Sequence, residues 1–288
     1  MIYLKPFTFP KGCVGKGKHE AEHEAGLKLL REALKLEYGL QVDDISTLIQ
    51  KGEHGKPRLE GFPEISFNIS HGGNMAACAL GRKALGVDVE FVRQVKETVI
   101  RRVLTKGEQA YLSRCPAKCR DREFFRFWTL KESYGKALGI GLALDFSSVE
   151  FTLGQPWMLG EGEEGLTVRL GGNGGRSVPY RKSKPAFRIL GQAEEGIRGC
   201  LLESGEGGCG LESGEDGCGL ESGEGGCGLE SGEGGGGCGR KSEKGGAPDW
   251  QFLQFMFGDG RGGQMDGLVV SFCGLELPEE PYLRIDAG

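Results

Sequence analysis

The chain has 288 residues, ten cysteines and a net charge of −5. It begins "MIYLKPFTFP", which lacks the charged and apolar regions of a secretory signal, and no apolar run approaches the ~20 residues that span a bilayer. The sequence therefore argues against secreted and membrane-spanning proteins. It predicts a cytoplasmic protein with reduced thiols, folded as one large domain or two small ones.

The first predicted element is a helix over residues 19–38. Leu27, Leu30 and Leu34 recur at helical spacing, and Gly39 is placed to cap the C-terminal end. Three strands joined by glycine-containing turns are predicted next, at 65–70, 76–80 and 85–90.

The second predicted helical region follows these strands. Residues 96–113 predict one or two short helices, and Asp121 is a candidate N-cap for a helix that runs to Leu138, with Gly139 just beyond its end. Late strands are predicted at 147–153, 250–257 and 267–272.

A low-complexity segment, about 194–246, separates these late strands. Its nine-residue unit "CGLESGEGG" consists mostly of Gly, Ser and Glu, so it buries too little apolar surface to offset its ordering entropy. We predict a disordered insertion. One cysteine every nine residues also lacks the close cysteine pairs that are typical of zinc sites. The units begin at Cys200, Cys209, Cys218 and Cys227.

The charge of the chain is distributed unevenly. Residues 194–233 hold eleven acids and one base, a net charge of −10, so the rest of the chain carries +5. Within that remainder, residues 93–126 hold ten bases and four acids, a net charge of +6. A basic surface favours an anionic partner such as a nucleotide, a nucleic acid or an acidic protein. The alternative is an ordinary solvated helical face.

The predicted strand "ALGVDVEFV" carries two carboxylates. Alternation along a strand directs Val87, Val89 and Phe91 toward a core and sets Asp88 and Glu90 side by side on the other face. Two neighbouring carboxylates repel each other. A positive group is therefore expected between them.

The predicted helix over 121–138 has two distinct faces. One face is an apolar stripe suited to a core, formed by Phe127, Leu130, Tyr134 and Ala137. Trp128, Glu132 and Lys136 lie four residues apart on another face, which resembles the wall of a cleft. The alternative is a surface Glu132–Lys136 pair, which contributes only about 0.2–0.5 kcal/mol.

Two further motifs precede the carboxylate strand. "FNISHGG" ends a strand with Ser70 and His71 followed by two glycines, and it offers a hydroxyl, an imidazole and accessible backbone N–H groups to an anion. "GKPRL" places Lys56 in a turn ahead of it. Either motif alone is more often structural than functional.

In this order, "GKP", "FNISHG", "GVDVE" and "FWTLKESYGKALGIGL" resemble the 4′-phosphopantetheinyl transferase superfamily, of the type that activates surfactin synthetase. The resemblance implies an α+β fold of two similar halves related by a pseudo-two-fold axis, each with an antiparallel sheet and a long helix. It implies an enzyme that moves 4′-phosphopantetheine from coenzyme A to a serine of an apo carrier protein (acyl, peptidyl or polyketide) and releases adenosine 3′,5′-bisphosphate.

The resemblance also implies a metal and its ligands. Attack on a pyrophosphate builds negative charge, which Mg²⁺, or Mn²⁺ in its place, neutralises through oxygen ligands. Asp88, Glu90 and Glu132 match the family's metal-binding carboxylates. Glu132 is in addition the candidate general base toward the incoming serine, directly or through a metal-bound water.

The remaining roles follow from the same matching of positions. Ser70 and His71 resemble the pyrophosphate contacts, Lys136 resembles the lysine that pairs with the phosphates as charge develops, and Lys56 resembles a coenzyme A contact. The first helix departs from the family pattern. Where members often carry an arginine for the 3′-phosphate of coenzyme A, this chain has acidic residues nearby. The acidic residues are Glu22 and Glu24, and the candidates for the role are Lys16, Lys18 and Arg31.

We expect the two halves at 1–90 and 91–288, with the insertion inside the second half and coenzyme A bound between them. A chain with both halves should act as a monomer, without nucleic-acid or membrane partners. The basic segment 93–126 suits an acidic carrier protein.

Two alternatives stay open. One is another magnesium-dependent phosphotransferase or nuclease that uses the same carboxylates. The other is a non-catalytic module that binds coenzyme A or a carrier protein.

Overall fold

The computed structural model describes residues 1–52, 55–153, 166–169, 177–189, 249–258, 267–277 and 283–285. The predicted insertion at about 194–246 lies outside these described residues. The described part of the chain has a mixed α and β fold. No helix in this part is both long and apolar enough to cross a membrane.

The elements agree with most of the predicted ones and add several. The helices are α1 (Lys16–Tyr38), α2 (Glu97–Val103), α3 (Lys106–Arg114) and α4 (Ala117–Leu138). The strands are β1 (Ile2–Pro6), β2 (Ile49–Lys51), β3 (Pro57–Leu59), β4 (Ser66–Gly72), β5 (Met75–Gly81), β6 (Leu85–Phe91), β7 (Val149–Thr152), β8 (Leu166–Arg169), β9 (Ser177–Ser183), β10 (Ala186–Ile189), β11 (Gln251–Phe257), β12 (Leu268–Gly274) and β13 (Leu283–Ile285).

Two larger sheets organise the fold. The first has the order β13-β1-β5-β4, and the second has the order β6-β12-β11-β9-β8. Strand β13 pairs with β1 in parallel, whereas the other neighbours in both sheets are antiparallel. Strand β6 therefore lies at one edge of the second sheet, and Asp88 stands opposite Ser271 in its ladder with β12.

Three apolar clusters hold these layers together. One cluster lies between the two sheets and joins residues of β1 and β5, such as Leu4 and Ala77, to residues of β6 and β12, such as Val87 and Val270. A second cluster packs α1 onto the first sheet, and a third packs α4 onto the second. Each sheet thus carries one long helix.

Strand β6 is in close contact with elements on two sides. Its Val87 N–H donates a hydrogen bond of 2.9 Å to Asn68 Oδ1 on β4, although β4 and β6 belong to different sheets. A Cβ atom on Gly72 of β4 would clash with the Val89 carbonyl oxygen, and one on Gly86 of β6 would lie 2.5 Å from the Ala137 nitrogen of α4. Glycine at both positions permits this approach.

The beginning of α4 differs from the prediction. The helix starts at Ala117, directly after Pro116, and not at an Asp121 N-cap. The Asp121 carboxylate instead accepts a hydrogen bond of 3.2 Å from the Val95 N–H. The predicted end at Leu138 is confirmed, with Gly139 in the left-handed conformation at φ 81°. The predicted core stripe of α4 is also buried.

A buried ion pair that the sequence does not reveal fixes α4 along its length. Lys131 Nζ lies 2.7 Å from Glu108 Oε2 and donates to the carbonyl oxygens of Val103, Phe146 and Val149. A buried ammonium without such acceptors is costly, so these contacts favour one orientation of α4 about its own axis. Glu132, the next residue, is thereby directed toward β6.

We predict that Gly86→Ala destabilises the fold. The added methyl group meets the Ser133 carbonyl and the Ala137 nitrogen, both of which are helix backbone, and overpacking of this kind costs about 1–3 kcal/mol. The measurement is urea unfolding of the purified variant.

Gly17→Ala is the matched control for this change. Its added Cβ lies 3.5 Å from Cys13 Sγ, an ordinary contact, so the helix propensity of alanine should leave stability equal or up to about 1 kcal/mol higher. A Gly86→Ala variant as stable as the wild type would contradict the close packing of β6 on α4.

Candidate functional site

A hydrogen-bonded set of three side chains lies where β4, β6 and α4 meet. Lys136 Nζ donates to Asp88 Oδ1 at 2.6 Å and to Ser70 Oγ at 2.8 Å, and Ser70 Oγ donates to Asp88 Oδ1 at 2.9 Å. Ser70 and Asp88 are buried, whereas the Lys136 side chain is 24% exposed. The set therefore reaches solvent from the α4 side.

The alternation of β6 explains the position of Asp88. Val87 and Val89 enter the cluster between the sheets, as predicted, and the opposite face of the strand carries Gly86, Asp88 and Glu90. Gly86 touches α4, so the two carboxylates that follow it stand beside the last turns of that helix.

Glu132 lies one helical turn before Lys136 and is 7% exposed. Burial, followed by the neighbouring charge of Asp88, raises the pKa of Glu132 from 4.5 to about 7. Its Oε1 atom and Asp88 Oδ2 are both buried and accept no hydrogen bond within the described residues. The site thus holds two buried carboxylate oxygens to which no donor in the described residues is hydrogen-bonded.

Glu90, the third predicted carboxylate, forms an ion pair with Arg93. Arg93 Nη1 donates to Glu90 Oε2 at 2.7 Å, and the Arg93 guanidinium stacks on Phe125 at 4.7 Å from the ring centroid. Burial still raises the pKa of Glu90, with Asp88 contributing in the same direction. Arg93 was not identified from the sequence, although its position three residues after Glu90 is within reach of that carboxylate.

These donors fit a hard divalent cation. Carboxylate oxygens are the ligands that Mg²⁺ prefers. Asp88 Oδ2 and Glu132 Oε1 are buried without a hydrogen-bond donor in the described part of the chain, so a bound cation would compensate the cost of their burial. In the conformation described, with Glu90 held by Arg93, no group of three His, Cys, Asp or Glu side chains in the described ranges is arranged to hold a metal ion.

The structure places the His71 side chain on the face of β4 opposite to that of Ser70. The two residues follow each other on β4 and therefore point to opposite faces, and His71 lies on the α1 side. There His71 Nδ1 is 3.7 Å from Glu22 Oε2. Glu22 is a second residue that the sequence reasoning missed as a neighbour of the site, since nothing in the helix pattern links it to β4.

The Lys56 side chain is held by hydrogen bonds to backbone carbonyl groups. Its ammonium donates to the carbonyl oxygens of Leu85 at 2.9 Å and Ala137 at 2.8 Å, and burial lowers its pKa to about 8. These bonds connect the GKP turn to the start of β6 and the end of α4. The role of Lys56 as a coenzyme A contact stays a prediction.

Only some of the basic side chains in the segment 93–126 are exposed to solvent. Arg122 and Arg126 are buried, and Arg126 pairs with Glu123 at 2.7 Å and donates to Gln254. Exposed bases remain on α2 and α3 and at the start of α4. They are Arg101, Arg102, Lys106, Arg114 and Lys118.

Comparison with known proteins confirms the resemblance drawn from the motifs. Residues 84–168 match the family model of the 4′-phosphopantetheinyl transferase superfamily. The chain is 31% identical over 151 residues to 4′-phosphopantetheinyl transferase gsp of Aneurinibacillus migulanus, a match that covers 49% of this chain and 63% of the relative.

Two other relatives are similar to a comparable extent. The chain is 33% identical over 130 residues to 4′-phosphopantetheinyl transferase Sfp of Bacillus subtilis, covering 44% of this chain and 56% of the relative. It is 33% identical over 143 residues to 4′-phosphopantetheinyl transferase HetI of Nostoc sp., covering 48% and 56%. The chain therefore spans between 56% and 63% of the length of these three relatives.

We predict that Glu132 makes stability depend on pH. Because its folded pKa of about 7 lies above its unfolded value of 4.5, the folded protein holds the proton more tightly, and stability is lost as pH rises through this interval. In EDTA, the free energy of unfolding of the wild type should fall by about 2 kcal/mol more than that of Glu132→Gln between pH 5 and pH 8.

Urea unfolding of both proteins at the two pH values tests this expectation. The comparison removes the contributions of titrating groups distant from Glu132, which the two proteins share. Parallel pH profiles would show that the Glu132 carboxyl titrates normally.

Proposed function

We propose that this chain transfers the 4′-phosphopantetheine group of coenzyme A to a serine of an apo acyl, peptidyl or polyketide carrier protein and releases adenosine 3′,5′-bisphosphate. The observation that carries the proposal is the Ser70–Asp88–Lys136 set beside the unpaired oxygen of Glu132. These are the residues that the family resemblance marks, and three separate elements bring them together.

The proposed architecture has two similar halves, at about 1–90 and 91–288. Support comes from the arrangement of one long helix on each sheet, with α1 on the first and α4 on the second. Coenzyme A would lie between the halves, near the contact of β4 with β6. The proposed enzyme acts as a cytoplasmic monomer, and the low-complexity insertion belongs to its second half.

Lys136 is suited to bind phosphate oxygens, and Ser70 would join it by turning its hydroxyl from Asp88 to the phosphate. The Lys136 ammonium has three protons and uses two of them on Asp88 and Ser70, and its side chain is partly exposed. An ammonium fixed in this way stabilises negative charge as it develops on the transferred group. His71 would approach the pyrophosphate from the α1 side of β4, and Lys56 would contribute to the coenzyme A site from the GKP turn.

Glu132 is suited to accept the proton of the incoming serine. A pKa of about 7 is close to the value at which a general base works well at neutral pH. Asp88, Glu90 and Glu132 would hold Mg²⁺, or Mn²⁺, which supplies neutralisation of the pyrophosphate charge when bound. Ser70 orients the Asp88 carboxylate through its hydrogen bond.

The exposed bases of α2 and α3 form a surface that fits an acidic carrier protein. With Arg122 and Arg126 buried, the charge available to a partner comes from residues such as Arg101, Arg102 and Lys106. Charges of this kind act mainly by steering the encounter, so they raise the association rate and lose their effect at high salt.

We expect transfer to be visible by intact-protein mass spectrometry. An apo acyl carrier protein and an apo peptidyl carrier protein, each mixed with the chain, coenzyme A and Mg²⁺, should gain the mass of one phosphopantetheine. EDTA should abolish the gain. Glu132→Gln should slow it by about 10²–10⁴-fold, because the base is lost while the shape is retained.

Glu20→Gln is the control for this substitution, since Glu20 is an exposed carboxylate on α1 paired with Lys16. It should transfer at the wild-type rate. Binding of coenzyme A without any gain of mass on either carrier would favour the non-catalytic alternative. Metal-dependent cleavage of DNA without a need for coenzyme A would favour the nuclease.

Charge reversal on α2 and α3 should weaken carrier recognition without changing chemistry. We expect the double variant Arg101→Glu and Lys106→Glu to raise the KM for carrier by about tenfold at low salt, with little change at high salt and in kcat. Lys83→Glu, on the turn between β5 and β6, changes an exposed charge elsewhere. An equal rise of KM in that control would assign the effect to net charge.

A further inference from the structure

Glu22 on α1 is a buried carboxylate with one lysine and two histidines around it. It is 5% exposed, and its oxygens lie 3.6 Å from Lys18 Nζ, 3.4 Å from His19 Nδ1 and 3.7 Å from His71 Nδ1. The contacts with Lys18 and His19 are ordinary neighbours along one helix. The contact with His71 is different, because it joins α1 to the end of β4, next to the Ser70–Asp88–Lys136 set.

The packing of α1 on β4 fixes this contact. A Cβ atom on Gly26 would lie 2.6 Å from Ile69 Cγ2, so the helix backbone rests directly on the Ile69 side chain. Glu22 lies four residues before Gly26, a rise of about 6 Å along the helix. His71 lies two residues beyond Ile69, about 6.6 Å along the strand. The two side chains are therefore held in register.

Charged groups surround the His71 ring on more than one side. From α1 it faces Glu22 and His19, and from α4 and β6 it lies within the electrostatic range of Lys136 and Asp88. Burial lowers the pKa of His71, Glu22 opposes that change as the larger of the two acidic influences, and Lys136 and His19 add to it. Glu22 is thus the main group that favours the imidazolium form.

We propose that Glu22 is a positioning residue for substrate binding, which anchors the Nδ1 side of His71 and leaves Nε2 to donate to a phosphate oxygen of the coenzyme. This inference rests on the proposed function and adds to it a residue of α1 that acts through His71. A histidine held by a carboxylate on one nitrogen presents the other nitrogen in a defined orientation. Glu22 itself touches no reacting atom.

The test follows the His71 ring directly, by NMR titration of the histidine signals in the full chain. The chain has four histidines, and the His71 signal is identified by its loss in His71→Asn. Glu22→Gln keeps the shape and removes the charge. It should lower the His71 pKa by about half a unit to one unit, which is about a three- to tenfold loss of proton affinity.

Calorimetry with coenzyme A and Mg²⁺ provides the functional readout. Affinity should fall by about three- to tenfold in Glu22→Gln at pH 7, and by less at lower pH, where a larger share of the imidazole is protonated in both proteins. In turnover, KM for coenzyme A should rise by more than kcat falls. Glu22→Asp, which retains the charge on a shorter side chain, should recover part of the affinity.

Glu24→Gln is the matched control, since Glu24 is exposed on the same helix and pairs with Lys28. It should leave both the His71 pKa and the affinity unchanged. An unchanged His71 pKa in Glu22→Gln overturns the inference whatever the activity, and so does a lowered pKa with wild-type affinity. If the wild type binds no coenzyme A, the proposed function fails, and the His71 pKa in Glu22→Gln still decides whether Glu22 anchors the ring.

Discussion

The arrangement of the site depends on the close contact that β6 makes with β4 on one side and with α4 on the other. Gly72 and Gly86 allow backbone to approach backbone at these two contacts, and the Asn68 amide bridges the gap between the sheets. Without this double contact, Asp88 would lie on an ordinary strand face near solvent. With it, a serine from one sheet and a lysine from a helix on the other reach the same carboxylate oxygen.

Local patterns in the sequence were sufficient for part of this picture. Alternation along "GVDVE" correctly separated Asp88 from Val87 and Val89, and helical spacing correctly identified the buried stripe of α4. Both results need only neighbouring residues. The predicted start of α4 was wrong. Asp121 is a good capping residue by type, but its carboxylate accepts a hydrogen bond from the Val95 N–H, a contact that exists only in the tertiary fold.

The parts that were missed depend on pairs of residues far apart in the chain. Lys131 is an unremarkable helix residue by sequence, and only folding brings it to Glu108 and three carbonyl groups. The same holds for Glu22 and His71, whose contact requires the register of α1 on β4. A net charge likewise does not tell which bases are buried, as Arg122 and Arg126 are. Composition therefore overstated the basic surface.

The pairing of β6 with β12 has a consequence for how the molecule is made. Asp88 stands opposite Ser271, and β1 pairs with β13 near the other end of the described chain. Contacts between such distant segments raise the contact order, which slows folding because closing the long loop between them costs entropy before the contact is made. The strand that carries the carboxylates can pair with β12 only after the late strands have been synthesised. Its contacts with β4 and α4, which bring Ser70 and Lys136 to Asp88, use only residues that are synthesised earlier.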